Sequence, residues 1–418
     1  GHSMASNSNN ILIRRGAWLL LAFWLLAYIL PLGWRPMVQP DEIRYGEIAR
    51  EMLTSGDWVV PRLGGLRYFE KPPLGHWLNA ASLSVFGENA FGIRFASSLC
   101  VGLMGAAVWR FTQRYTGSRN AGLIAGVVFL SSPGALAVGN YALLDGIAAL
   151  WITLAFMSAY HALHATAKSE IYRHYLIFGS MCGLGFLTRG FLALVVPVIV
   201  TVAYILCEGR GADLRRYGWA AVAAMVVVTL PWSLAIHLRE PDFWQHLIQV
   251  QHLQRLLGEK EIEPLWFYLP VLLVITFPWL PLMAGKPWHA LRNSRSPHIR
   301  SLIRFCAFWS LLSLLLFSLA LGKSPMYILP CLPPMAVLLG IAASRLIAEG
   351  QETLFNPGLQ FCRVLQLELL VAAVLNFTAA VGEPTWRVHE TVQWIWFSVV
   401  QLAWISILRL AIGAPLNQ

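Results

Sequence analysis

Long unbroken apolar runs alternate with short polar segments along this chain, far more coarsely than a strand alternates or a surface helix stripes. A run of about 18 apolar residues or more can cross a bilayer as a helix, and continuous apolarity is not the alternating pattern of a membrane β-barrel. The runs predict twelve spans, at about 17–34, 91–112, 120–138, 145–164, 174–188, 190–207, 218–237, 264–284, 303–321, 327–344, 364–381 and 392–412. The fold class expected is an all-α polytopic membrane protein. The pair meeting at Arg189 matters most, because a single long helix there would reverse the side of every later loop.

Two polar segments are long, 35–90 and 238–263. In the first, "EIRYGEIAREMLTSGDW" places Ile43, Ile48, Met52 and Leu53 roughly on one face and Arg44, Glu47, Arg50 and Glu51 on the other. That pattern suits a helix lying in the membrane interface. "PPLGHWLNAASLSVF" reads as a second such helix, with Pro at its start. Trp266 and Tyr268, at the end of the second long segment, suit a membrane interface. No fixed-period repeat, low-complexity linker or soluble domain is seen. Residues 1–10 read as a tail whose GHSM looks like the scar of a cleaved tag, and 11–418 as one transmembrane domain. The first apolar run follows Arg14 and Arg15 without a small-residue cleavage site, so it reads as a retained helix.

Composition sharpens this reading. The chain has 418 residues, 57% hydrophobic and 12% charged, against roughly a quarter charged in ordinary globular proteins. A net charge of +10 would suit nucleic acid, but the bases sit between spans. With the N-terminus inside, the inner segments hold about eighteen Lys and Arg against about six acids, and the outer ones about thirteen against about fifteen. The positive-inside rule accounts for that asymmetry and removes the nucleic-acid reading; bases in the first outer loop need a separate reason. Cys100, Cys182, Cys207, Cys306, Cys331 and Cys362 are scattered, without a CxxC, and read as small apolar core residues. His161 and His164 read as interfacial side chains at the inner end of a helix.

On this topology Asp41, Glu70, Lys71, Asp145, Arg255, Lys323 and Tyr327 all fall on the outer side, in loops or at helix ends. Singly they have plain explanations: Asp41 and Glu42 favour a helix N-terminus, and Lys71, Arg255 and Lys323 could snorkel. Asp145 is harder to explain so, standing alone at the mouth of an apolar helix where ionisable groups are costly. Carboxylates and cations converging at one membrane face suit an anionic, lipid-borne substrate. A carboxylate can take a proton from an attacking hydroxyl, and cations can stabilise a departing phosphate, Arg as a fork and Lys as a point charge. A transporter of a lipid-linked anion, or a non-catalytic lipid-binding scaffold, would share the span count. A transporter, however, carries its polar groups at mid-membrane in repeated halves.

The ordered blocks "PDE…RY…E", "GDWVVPRLGGLRYFEKPPLGHW", "LLD", "QHLQRLL" and "GKSPMYILPCLPP" resemble the bacterial ArnT-like lipid A aminoarabinose transferases and the related protein O-mannosyltransferases, over roughly residues 15–345. The resemblance implies a GT-C glycosyltransferase of the bacterial inner membrane with its site facing the periplasm, taking a sugar from a polyprenyl (undecaprenyl) monophosphate donor to a lipid or glycan acceptor with inversion. It implies Asp41 as catalytic base and Asp145 as a second acid of the site. Lys71, Arg255, Lys323 and Tyr327 would hold the donor, and Glu42, Tyr68, Glu70 and His252 would neighbour the substrate. No cofactor is required, although the family pattern leaves room for a divalent metal on Glu70 and loop histidines; Val250 or Gln251 stands where a second His is common. Arg189 stands where the family has Lys, read either as a helix-end anchor or as a functional group. The family's usual C-terminal periplasmic domain has no counterpart up to Gln418, so the resemblance leaves the acceptor open among lipid A, O-antigen, another lipid and protein.

Overall fold

A computed structural model describes residues 15–34, 36–37, 41–249, 263–277, 279–283, 286–320, 323–348, 395–396 and 399–400. The chain opens with α1 (Arg15–Ile29), then α2 (Asp41–Ser55). A minimal hairpin of β1 (Arg62–Leu63) and β2 (Leu66–Arg67) pairs Arg62 with Arg67 and Leu63 with Leu66. There follow α3 (Leu74–Phe86), α4 (Ala90–Thr116), α5 (Arg119–Ser131) and α6 (Pro133–Gly139). Next are α7 (Asp145–His164), α8 (Lys168–Arg189), α9 (Phe191–Cys207), α10 (Gly211–Arg239) and the short α11 (Phe243–His246). The remaining helices are α12 (Tyr268–Thr276), α13 (Trp279–Leu282), α14 (Lys286–Arg292), α15 (Pro297–Leu319) and, after a 3₁₀ turn at Pro325–Cys331, α16 (Leu332–Ala348).

Among the described residues five helical segments are long and apolar enough to cross a membrane, or six when α5 and α6 are joined through their 61° bend. The expected spans at 91–112, 145–164, 218–237, 303–321 and 327–344 coincide with them, and 120–138 with the bent pair. The twelve-span count is not reproduced as twelve long helices. Within the stretch 264–284, α12 and α13 are separate short helices. Expected span 364–381 and nearly all of 392–412 lie outside the described residues. At Arg189 two helices are present, not one. Gly190 separates α8 from α9 with φ of 90°, a conformation that a residue with a Cβ rarely takes.

α7 is the central post, packed between α4, α8 and α9. Phe156 on α7 stacks on Trp309 of α15 at 4.8 Å, a large contact deep in the bundle. α10 is the opposite case: Val227, Leu230, Leu234 and Leu238 all stand exposed along it. An apolar face that long is tolerable only against lipid.

The outer loop is tightly built. α2 buries Tyr45, Ile48, Ala49 and Met52 against α3 and α4, at spacings that return to one helix face. The expected apolar face is corrected here: Ile43 is exposed, and Tyr45 and Ala49 take its place. The bases of this loop also find their reason. Arg67 pairs with Glu240 and Asp242, Arg62 with Asp57, and Arg239 at the end of α10 forks onto Asp57 at 2.9 and 3.0 Å. These pairs tie the first outer loop to the end of α10. Pro73 caps α3, with its carbonyl accepting from the Trp77 N–H at 2.8 Å. The Pro-Pro pair thus fixes the segment just after Lys71.

Candidate active site

Short antiparallel connections bring the site together. α7 and α8 are joined by residues 165–167, so the first residue of α7, Asp145, meets the last residue of α8, Arg189. Their side chains pair at 2.8 Å and are only 14% and 9% exposed. The Arg189 guanidinium also lies 4.0 Å from the centroid of the Tyr327 ring, in the turn before α16. Three helix ends therefore converge on one guanidinium. Nearby, the Tyr268 hydroxyl donates to the Ser324 carbonyl at 2.9 Å, and Lys323 donates to the Glu263 carbonyl at 3.0 Å. Burial holds the Lys323 ammonium below its usual pKa, with Glu263 pulling the other way.

The first outer loop supplies the second half. Asp41 begins α2, is 54% exposed, and lies 3.7 Å from Arg44. The Tyr68 hydroxyl donates to Glu70 at 3.1 Å, and the Lys71 ammonium sits 5.9 Å from the Tyr45 ring centroid. Tyr45 joins the two halves. Burial pushes its phenol well above the usual range, reinforced by Tyr68, Asp145 and Asp41. Glu42, next to Asp41, accepts from the N–H of Ala142, three residues before Asp145, so Asp41 and Asp145 lie at the same end of the bundle.

Glu42 departs from its expected role. It is 1% exposed and accepts from Arg94, itself 0% exposed, at 2.8 and 2.9 Å. It also accepts from the Ala142 N–H at 2.9 Å, while Arg94 donates to the carbonyls of Leu32 at 2.8 Å and Pro36 at 2.9 Å. Glu42, expected as a substrate neighbour, is thus enclosed by protein groups. It is a strut tying α2 to α4 and to the strand of chain leading into α7. The physical reason lies in helix phase: one step from exposed Asp41 turns a side chain by about 100° into the protein.

His76 is a residue the sequence reading missed. Its ring is 0% exposed, neither nitrogen has a hydrogen-bond partner among the described residues, and it lies about 6 Å from the Tyr45 and Tyr68 rings. The signal was a lone His in the apolar "PPLGHW" helix start. Its neighbour Gly75 explains how α3 reaches the site: a Cβ there would stand 2.5 Å from Leu144, the residue before Asp145. Burial, aided by Lys71, holds the His76 pKa down at about 3. Above pH 6.5 both folded and unfolded rings are neutral; below it, the unfolded ring takes a proton that the folded ring refuses. Stability should therefore fall as pH drops from 6.5 towards 3, by roughly 2 kcal/mol at pH 5. Melting of the purified protein across that range should show a shallower acid slope for His76→Leu than for the parent; parallel slopes would mean that the ring is hydrated.

Arg255 and His252 lie outside the described residues. Among the described residues no group of three or more His, Cys, Asp or Glu is arranged to hold a metal ion, and Glu70 is engaged by Tyr68. The described cysteines are free thiols; four are buried and Cys207 is exposed, while Cys362 is outside the described residues.

The pattern of the dolichyl-phosphate-mannose-protein mannosyltransferases matches residues 14–247. The chain is 40% identical over 367 residues to an undecaprenyl phosphate-alpha-4-amino-4-deoxy-L-arabinose arabinosyl transferase of Aeromonas hydrophila, covering 86% of this chain and 66% of that one. A protein of the same description from Aeromonas salmonicida is 42% identical, covering 81% and 62%. The chain thus spans just under two thirds of these relatives' length. Among solved structures it is similar to ArnT from Cupriavidus metallidurans bound to undecaprenyl phosphate, with TM-score 0.82 and 26% identity, covering 95% of this chain and 72% of that one.

Proposed function

Because the chain belongs to the dolichyl-phosphate-mannose-protein mannosyltransferase family, we propose that it is a membrane glycosyltransferase. It moves a sugar from undecaprenyl monophosphate to a lipid or glycan acceptor, at the periplasmic face of the bacterial inner membrane. The observation that carries this reading is the meeting of Asp41, Tyr45 and Lys71 from the outer loop with Asp145, Arg189 and Tyr327 from the helix ends. The names of the similar proteins supply the donor: arabinosyl transferases using undecaprenyl phosphate, and a structure that binds it.

The residues divide the chemistry. The acceptor hydroxyl oxygen attacks the anomeric carbon from the side opposite the phosphate, and its proton passes to Asp41. The sugar–phosphate bond breaks, and the phosphate oxygen keeps the electron pair. Lys71 stabilises that charge, helped by Lys323 and by Arg255 from the second outer loop. Asp145 is already paired with Arg189. Its part is to aim the guanidinium over Tyr327, and Arg189, not a bare Asp145, faces the donor headgroup. Tyr68 and Glu70 form the wall beside Lys71.

The direct test is mass spectrometry of carrier lipids and envelope glycolipids from cells with and without the protein. Loss of one glycosylated lipid, with its undecaprenyl-phosphate sugar accumulating, is the expected result. Unchanged glycolipids and glycans would overturn the reading.

A further inference from the structure

At the opposite end of α7 lies a cavity that the proposed transfer does not use. It has a volume of about 690 Å³ and opens between the C-terminal part of α4, the start of α5 and the C-terminal half of α7. His161, on its wall, is sixteen residues along α7 from Asp145, which is about 24 Å of helix rise. The cavity therefore faces the other leaflet.

Three arginines line it: Arg110 and Arg114 on α4 and Arg119 on α5. All three are exposed, and among the described residues none has a carboxylate within ion-pair distance. Arg110 and Arg114 lie instead 5.5 and 5.6 Å from the ring centroids of their neighbours Trp109 and Tyr115. At the same end Arg173 pairs with Glu170 and Arg304 with Glu208; Arg215, Arg216, Arg295 and Arg300 are exposed without an ion pair among the described residues, but they do not line this cavity. Three unneutralised guanidiniums around one cavity form an anion site, and their forked N–H groups match phosphate oxygens. His161 adds no competing charge partner, since its Nδ1 is already bonded to the Tyr115 hydroxyl.

The remaining walls indicate what carries the phosphate. Phe111 and Met157 give the cavity an apolar floor. From Ala107, Leu103 and Leu99 continue the same face of α4 in four-residue steps towards mid-membrane, and both are exposed. A cationic mouth leading into an exposed apolar track suits a molecule with a phosphate at one end and acyl chains at the other. Free phosphate has no use for the track. We propose that this cavity binds the headgroup of an anionic phospholipid from the leaflet opposite the candidate active site, with its chains along Leu103 and Leu99. Basic clusters at helix ends attract anionic lipid in this way.

The test reads lipid binding and not sugar transfer, so it stands apart from the enzymatic reading. The full chain in detergent is titrated with dioleoylphosphatidylglycerol or dioleoylphosphatidylcholine, and bound lipid is counted by native mass spectrometry. The parent protein should retain phosphatidylglycerol at least about tenfold better. The triple variant Arg110→Gln, Arg114→Gln, Arg119→Gln should lose the preference. Ala107→Trp fills the cavity but leaves all three charges, and should lose it too. The two variants act by different means, so a folding failure of one leaves the other to decide. If Ala107→Trp keeps the full preference, surface charge alone attracts the lipid and the cavity assignment is wrong. If inorganic phosphate occupies the site while the two lipids bind equally, the site takes a free anion and the lipid assignment is overturned.

Discussion

Asp41→Asn is expected to lower sugar transfer by about 10²- to 10⁴-fold, the range that a positioned general base contributes, while undecaprenyl phosphate still binds. Asp41 is singled out by elimination among neighbouring acids. Glu42 is enclosed by Arg94, Asp145 is paired with Arg189, and Glu70 accepts from Tyr68. Among the described residues Asp41 has only a loose partner, Arg44 at 3.7 Å, and it is 54% exposed. A free carboxylate at the edge of a basic cluster can reach an incoming hydroxyl; a buried, paired one cannot. Asn keeps the shape and the helix-start position but cannot take the proton. Turnover with a purified undecaprenyl-phosphate sugar, alongside carrier binding by calorimetry, separates the two steps. Near-parental turnover in the Asn variant would show that another group accepts the proton, and loss of carrier binding would show that Asp41 acts on the donor.

Glu42→Ala should destabilise the protein by about 3–5 kcal/mol, the usual result of removing one partner of a buried ion pair. The loss is large because Arg94 would stay behind, 0% exposed, with its charge uncompensated, and the Ala142 N–H would lose its acceptor. The strut also holds Asp41 next to it in register with the approach to α7, so activity should fall with stability. Thermal melting in one detergent measures the effect. A double change, Glu42→Gln with Arg94→Met, should recover a good part of it, because a neutral pair of similar size needs no charge compensation and the Gln oxygen can still accept from the Ala142 N–H. If Glu42→Ala melts like the parent, water reaches Arg94 and the strut is not the closed pair described.

The adjacent acids Asp41 and Glu42 show where reading a sequence reaches its end. Both sit at a predicted helix start, and nothing in "PDEIRY" distinguishes them. Their fates diverge because helix phase turns one out and the other onto Arg94, which is 52 positions away. Asp145 was legible as a lone acid at an apolar helix mouth, but its partner was not. Arg189 becomes that partner because α8 runs antiparallel to α7 and stops at Gly190. His76 is visible in the sequence only as part of a motif; its meaning lies in having no partner for either nitrogen among the described residues, and that is a property of its surroundings.

The apolar run lengths, the charge asymmetry between loops and the order of the outer-loop motifs determined, by themselves, that this is a helical membrane protein of this family with its acids and bases gathered at one face. Those properties are local: whether a segment prefers lipid or water depends on its own composition. Which acid is exposed, which is enclosed by an arginine and which guanidinium lies over Tyr327 were decided only by tertiary structure. A carboxylate's chemistry depends on what lies within a few ångströms of it, and here those neighbours come from helices distant in the chain.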